Sequence, residues 1–337
     1  MTLFETIQNQ PKPLAVPLMG YPGIQLTGAA MKDVILFPDK QVEALKALVD
    51  YFNPPAVFPM MDLTVEASGM GLEVEFPEDD VAYVRKHPLR EGDDLTQLKT
   101  FDLLSAPRVR NYLQVVEAIA KEFRGLHGGY VIGPLSLAGL LMGVENLALA
   151  LLDNAFFVRE LLSILSEKLA RVALAEQSAG ADIIAILDPT AMIISPLQFD
   201  VFVKPAVQRI VRDLKAMSLL HICGEASHLV GHMSQTGVDG LSLDYQVDLV
   251  QAEERVPPDV VIWGNLNPVD VFLKETPEGI KTQVKNLLDK MKNFDNFVLS
   301  SGCDLPAHTP LENIQSFFEA VSEWKQIEID QVEKAQL

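Results

Sequence analysis

Short apolar runs ending in Gly, Pro or Asp alternate with longer stretches of helical spacing along most of the chain. The runs are 14–18, 56–61, 130–132, 182–187, 219–222, 240–243, 260–263 and 298–301. Each is too short for a stable helix and is bounded by turn residues, so each is expected to be a buried strand. Pro59 counts somewhat against an unbroken strand at 56–61. Between the runs, Pro38 and Asp39 open a helical pattern with Val42, Leu45, Leu48 and Val49 on one face. Further helices are predicted over 107–123, 136–152 and 155–179, from Ser195-Pro196 to about Lys215, from Ser227, from Pro277, and from Pro310 to about Trp324. The polar end, 325–337, is expected to fray.

Eight strands separated by helices imply a parallel sheet. In a chain of 337 residues they predict one α/β domain over 1–337, a (β/α)₈ TIM barrel, with a doubly wound sheet as runner-up. The stretch around 66–106, with acidic Glu73, Glu75, Glu78, Asp79 and Asp80, lacks this alternation and is expected to be an irregular excursion.

Composition narrows the setting. A formal charge of −19 argues against nucleic acid and anionic membrane as partners. No apolar run approaches the ~20 residues of a membrane span. Met1-Thr2-Leu3-Phe4-Glu5 resembles no secretory leader, and two cysteines make no disulfide framework. A cytoplasmic protein is expected.

The candidate chemistry sits at strand ends. His221 and Cys223 are two apart, so on a strand both leave from one face, and Cys303 is the other cysteine of the chain. One imidazole and two thiolates suit a zinc ion with one position left open for substrate. Taken singly, each cysteine reads as a small buried hydrophobe and His221 as a hydrogen-bonded core residue. Placed together on one rim they read as a metal site. Asp62, Asp188, Asp244 and Asn265 fall at the same C-terminal strand ends, the rim where such barrels build active sites. Asp188 and Asp244 are candidate ligands, acceptors that orient His221, or caps of the following loops. Asp62, Asp244 and Asn265 are candidates for holding a cofactor. Glu225 follows Cys223-Gly224, and His228 and His232 lie four apart; solvent-facing positions are favoured for all three. The fifth and eighth strands of a closed barrel lie well apart, so Cys223 and Cys303 must reach across its mouth.

Leu220-His221-Ile222-Cys223-Gly224, followed by Ser301-Gly302-Cys303-Asp304-Leu305-Pro306 and Thr309-Pro310-Leu311-Glu312-Asn313, resembles the His-x-Cys…Cys pattern of the corrinoid-dependent methyltransferases. These belong to the uroporphyrinogen decarboxylase superfamily. Ala181-Asp182, Asp188-Pro189 and Gly264-Asn265 look like that superfamily as well. The resemblance implies a uroporphyrinogen decarboxylase-like barrel. It also implies a zinc enzyme that moves a methyl group from a methylated corrinoid protein to coenzyme M or tetrahydrofolate, with Asp188 or Glu225 filling the open metal position at rest. A methyltransferase working in the other direction, from a methoxy, methylthio or methylamine donor onto cob(I)alamin, is the alternative. The decarboxylase itself is disfavoured. Its substrate bears eight carboxylates, and no arginine precedes Arg85 here. No histidine lies in the Asp-x-His-x-x-Gly setting of corrinoid-binding domains, so methylcobalamin is expected on a partner protein.

Overall fold

The computed structural model describes residues 2–335 apart from Pro11. Seven parallel strands hydrogen-bond in chain order: β1 (Ala56–Val57), β4 (Leu126–Ile132), β5 (Ile183–Leu187), β6 (Met217–Ile222), β7 (Gly240–Leu243), β8 (Val261–Leu266) and β9 (Phe297–Ser301). The eighth member is the segment 14–18. Its Ala15 bridges Leu299 in parallel, and Val16 donates to the Leu299 carbonyl at 2.8 Å. On the other side Gly20 presses on Met60, whose Cα lies 3.1 Å from where a Cβ would stand. These contacts curl the sheet into the (β/α)₈ barrel. A doubly wound sheet would reverse its strand order at a switch point, and no reversal occurs.

Strand burial follows from composition. β5, Ile-Ile-Ala-Ile-Leu, is buried along its whole length, as a strand must be when a barrel core lies on one side and helices on the other. Inside, Phe58 stacks on Tyr130 with centroids 5.3 Å apart and meets Trp263 edge-on at 6.4 Å. Around the outside helix Ala155–Ala179 packs against the sheet, capped by the Asn154 side chain and ended by Gly180 at φ 111°.

Several elements differ from expectation; β1 stops at Val57, short of the run to Met61, and the helix expected from Ser227 spans Val230–Met233. β4 begins at Leu126, four residues early, through His127-Gly128-Gly129. Those glycines are packing positions: a Cβ on Gly128 would lie 1.9 Å from the Phe58 ring, and one on Gly129 would lie 2.1 Å from Glu176 Oε2. The helix expected over 136–152 is two, Pro134–Met142 and Val144–Asp153, bent by 108° at Gly143, whose φ is 80°. The helix opened by the Ser195 capping box passes through a π-turn, Phe199–Val203, before Lys204–Val211. The excursion is ordered, with a helix Val65–Gly69 and an antiparallel hairpin of β2 (Val74–Glu75) and β3 (Tyr83–Val84). The last helix runs Leu311–Ala335, past Trp324, because its polar end is built from the helix formers Lys, Gln and Glu. Among the described residues no single helix is long and apolar enough to cross a membrane.

Candidate metal centre

The parallel register sets His221 of β6 beside Ser242 of β7. Ser242 takes one face of the imidazole: its Oγ lies 3.0 Å and its carbonyl 3.2 Å from Nδ1. A proton on Nδ1 donates there, which leaves the Nε2 lone pair facing the mouth. Nε2 lies 2.9 Å from Cys223 Sγ, and Cys223 Sγ lies 3.6 Å from Cys303 Sγ. The three ligand atoms all fall within 4.8 Å of one another, with His221 buried and both cysteines partly exposed.

Cys303 crosses the mouth because the chain after β9 folds inward. The Gly302 amide donates to the Leu266 carbonyl at 2.7 Å. A Cβ at Gly302 would stand 2.5 Å from the Tyr245 amide nitrogen. Only a residue without a side chain lets this loop lie flat over the ends of β8 and β7, and that path delivers the second sulfur to the first.

The remaining rim residues hold loops. Asp188 is buried with both oxygens occupied: Oδ1 accepts from the Ser136 amide and hydroxyl at 2.7 Å, and Oδ2 accepts from the Leu135 amide at 3.3 Å. It caps the N-terminus of helix Pro134–Met142 and lies outside the three-ligand cluster. Burial pushes its carboxyl up to about 6, against the pull of the Ser136 and Leu135 donors. Asp62 Oδ1 accepts from the Thr64 amide and hydroxyl, and Oδ2 is paired with Arg108. Asp244 Oδ1 accepts from the Gln246 amide. Asn265 Nδ2 donates to the Asp244 and Val247 carbonyls at 2.8 and 2.7 Å. Neither Asp188 nor Asp244 orients His221; Ser242 does. Glu225 is exposed and accepts from the Ser227 amide. His228 bonds the Ile194 carbonyl and His232 bonds Asp200, so that histidine pair shares no ligand.

The electrostatics follow from crowding. The hydrogen bond to Cys223, and then burial, push the Cys303 thiol well up, while His221 pulls it down. Burial opposes charging His221, but the neighbouring Cys303 sulfur, the Asp244 carboxylate and the Ser242 carbonyl together outweigh burial and raise it. Tyr130, next to Cys303 and Asp304, is raised chiefly by burial and stays a phenol. Asp304 is also raised by burial and then by Cys303, and its Oδ2 is enclosed without a hydrogen-bond partner.

Residues 19–324 match the family model described as uroporphyrinogen decarboxylase (URO-D). The chain belongs to the uroporphyrinogen decarboxylase family. It is 31% identical over 282 residues to the methylcobamide:CoM methyltransferase MtbA of Methanosarcina acetivorans, covering 80% of each chain. To the uroporphyrinogen decarboxylase of Prochlorococcus marinus (strain MIT 9215) it is 27% identical over 281 residues, covering 80% of this chain and 79% of the other. A solved methyltransferase from Methanosarcina mazei superimposes with a TM-score of 0.86 at 25% identity, covering 96% of this chain and 97% of that one. The chain is an enzyme of the corrinoid-dependent methyltransferase type within that family.

Glu66 was not singled out in the sequence, because nothing there shows that its helix turns inward. It is 1% exposed and accepts from the Ile132 amide at 3.1 Å. Burial raises its carboxyl from 4.5 to about 7. The folded state therefore holds this proton more tightly than the unfolded chain. The stability so gained is complete below pH ~4.5 and lost as pH rises through ~7. Glu66→Gln keeps the acceptor oxygen and removes the charge. It is expected to match the wild type near pH 4.5 and to exceed it by about 3 kcal/mol at pH 8. Urea unfolding at the two pH values checks this; an equal difference at both would contradict it.

Proposed function

We propose that the enzyme transfers a methyl group from a methylated corrinoid, carried by a separate protein, to a thiol such as coenzyme M, using zinc held by His221, Cys223 and Cys303. The observation that carries this reading is the convergence of one imidazole nitrogen and two sulfurs at the mouth, in a chain whose relatives include methylcobamide:CoM methyltransferases.

The donor set fits the ion. With Zn–S bonds near 2.3 Å and tetrahedral angles, two sulfurs stand ~3.8 Å apart, and the pair here stands at 3.6 Å. The Nε2–Sγ distance of 2.9 Å has to open by about 0.65 Å to reach the same geometry. Three protein ligands leave one position for a substrate, whereas structural zinc sites usually take four. Both cysteines are partly exposed, so that position faces the mouth.

Bound zinc supplies a Lewis acid that keeps an acceptor sulfur as its nucleophilic thiolate near neutral pH. The chain does the rest. Ser242 fixes the His221 tautomer so that Nε2 points outward. Gly302 brings Cys303 across. The buried Phe58, Tyr130 and Trp263 rings pack together in the barrel interior. The acceptor and the methyl donor then meet at one open face, positioned rather than diffusing.

Incubating the protein with methylcobalamin and 2-mercaptoethanesulfonate should convert the methylcobalamin spectrum to that of demethylated cobalamin. Tetrahydrofolate in a parallel arm decides the acceptor. Absence of turnover with both would remove the reading. Ser242→Ala removes the hydroxyl but keeps the carbonyl; it should leave the fold intact yet weaken zinc binding roughly 10- to 100-fold in chelator competition; unchanged affinity would mean that the Ser242 hydroxyl does not orient the ring.

A further inference from the structure

We propose that Cys223 and Cys303 also form a site of reversible oxidation, closing to an intramolecular disulfide when no cation is bound, with a hydroperoxide as the oxidant. The pair is unusual for two thiols 80 positions apart on strands that are not neighbours. Their sulfurs stand 3.6 Å apart and both side chains are partly exposed. A disulfide needs ~2.05 Å, so about 1.5 Å must close.

The two sides of that gap are not equally free. Cys303 is pinned through Gly302, whose neighbours within 3.2 Å of a Cβ are all backbone atoms of Asp244 and Tyr245. Cys223 is followed by Gly224 at φ 85°, and the atoms nearest to a Cβ there all belong to the Met192 side chain, beginning at 3.3 Å. A methionine side chain yields where backbone does not. The closing movement therefore comes from the Cys223 side.

The chemistry balances in two displacements. One sulfur attacks the peroxide oxygen, the O–O bond breaks, water or an alcohol leaves, and a sulfenic acid remains. The second thiol attacks that sulfur, the S–O bond breaks, water leaves with the thiol proton, and the S–S bond forms. The sulfur pair loses two electrons and the peroxide gains two. A thiol reductant reverses the change by exchange. Oxidation ties the fifth and eighth strands together across the mouth and removes two of the three ligands in one event. A cation held by both sulfurs occupies the electron pairs that the first displacement needs. Metal loading and oxidation are thus mutually exclusive states of one site.

The test uses the full chain, stripped of metal with a chelator and treated with hydrogen peroxide. Intact mass should fall by about 2 Da, the two hydrogens lost per disulfide. Both thiols should become inert to N-ethylmaleimide, the protein should stay monomeric on a non-reducing gel, and dithiothreitol should restore thiols and zinc binding. Zinc-loaded protein should oxidise at least about tenfold more slowly. Cys303→Ser should show no such mass loss and should carry its oxidation on Cys223 as added oxygen. Independent gain of oxygen on both cysteines of the wild type, disulfide-linked dimers, or equal rates with and without zinc would overturn the proposal. None of these readouts involves methyl transfer, so the proposal can fail while the methyltransferase reading stands, or survive if that reading falls.

Discussion

Replacing Cys303 with serine is expected to lower methyl transfer from methylcobalamin to a thiol by at least about a thousandfold, with zinc content falling well below one per chain. Serine is nearly isosteric and the side chain is partly exposed, so the barrel should keep its circular dichroism and thermal midpoint. What changes is the ligand. A serine hydroxyl remains protonated where a thiol is ionised by the ion, and a hard oxygen suits a site with a soft partner less well. Cys223→Ser should behave alike. Since the two sulfurs act on one ion, the double variant should be scarcely worse than either single one. Near-wild-type turnover in either single variant would separate that cysteine from the chemistry.

Gly302→Ala is expected to cost zinc affinity about 100-fold while leaving most of the stability. The added Cβ would stand 2.5 Å from the Tyr245 nitrogen and 3.2 Å from the Asp244 carbonyl carbon, and backbone there has nowhere to go. The loop must lift, and Cys303, the next residue, lifts with it. Chelator competition together with thermal unfolding reads both effects. Wild-type affinity in this variant would show that the path of the chain over β7 and β8 is not what delivers the second sulfur.

Much of this molecule was legible from residue order alone, for reasons that differ by element. The eight strands announced themselves because a barrel strand is buried on both faces and so reads as a continuous apolar run. β4 was half hidden because Gly128 and Gly129 carry no side chain to read; they make room for Phe58 and Glu176. The His221, Cys223 and Cys303 cluster was legible because few residue types serve as soft ligands and all three fell at strand ends. Ser242 was not: its role depends on the register between β6 and β7, which no local pattern states. Asp188 stays open in the sequence between ligand, orienting acceptor and cap for a related reason. A carboxylate after a strand can face the mouth or the neighbouring helix, and here the free amides at the start of helix Pro134–Met142 hold it. Gly302 reads in the sequence only as part of the Ser301–Pro306 motif, although its contact with Tyr245 is what brings the distant sulfurs together.

X-ray absorption at the zinc edge of the loaded protein tests the central claim most directly. One nitrogen at ~2.05 Å and two sulfurs at ~2.3 Å are expected, with a third sulfur entering the shell when 2-mercaptoethanesulfonate is added. A shell of nitrogen and oxygen alone, or one unchanged by the thiol, would contradict the account.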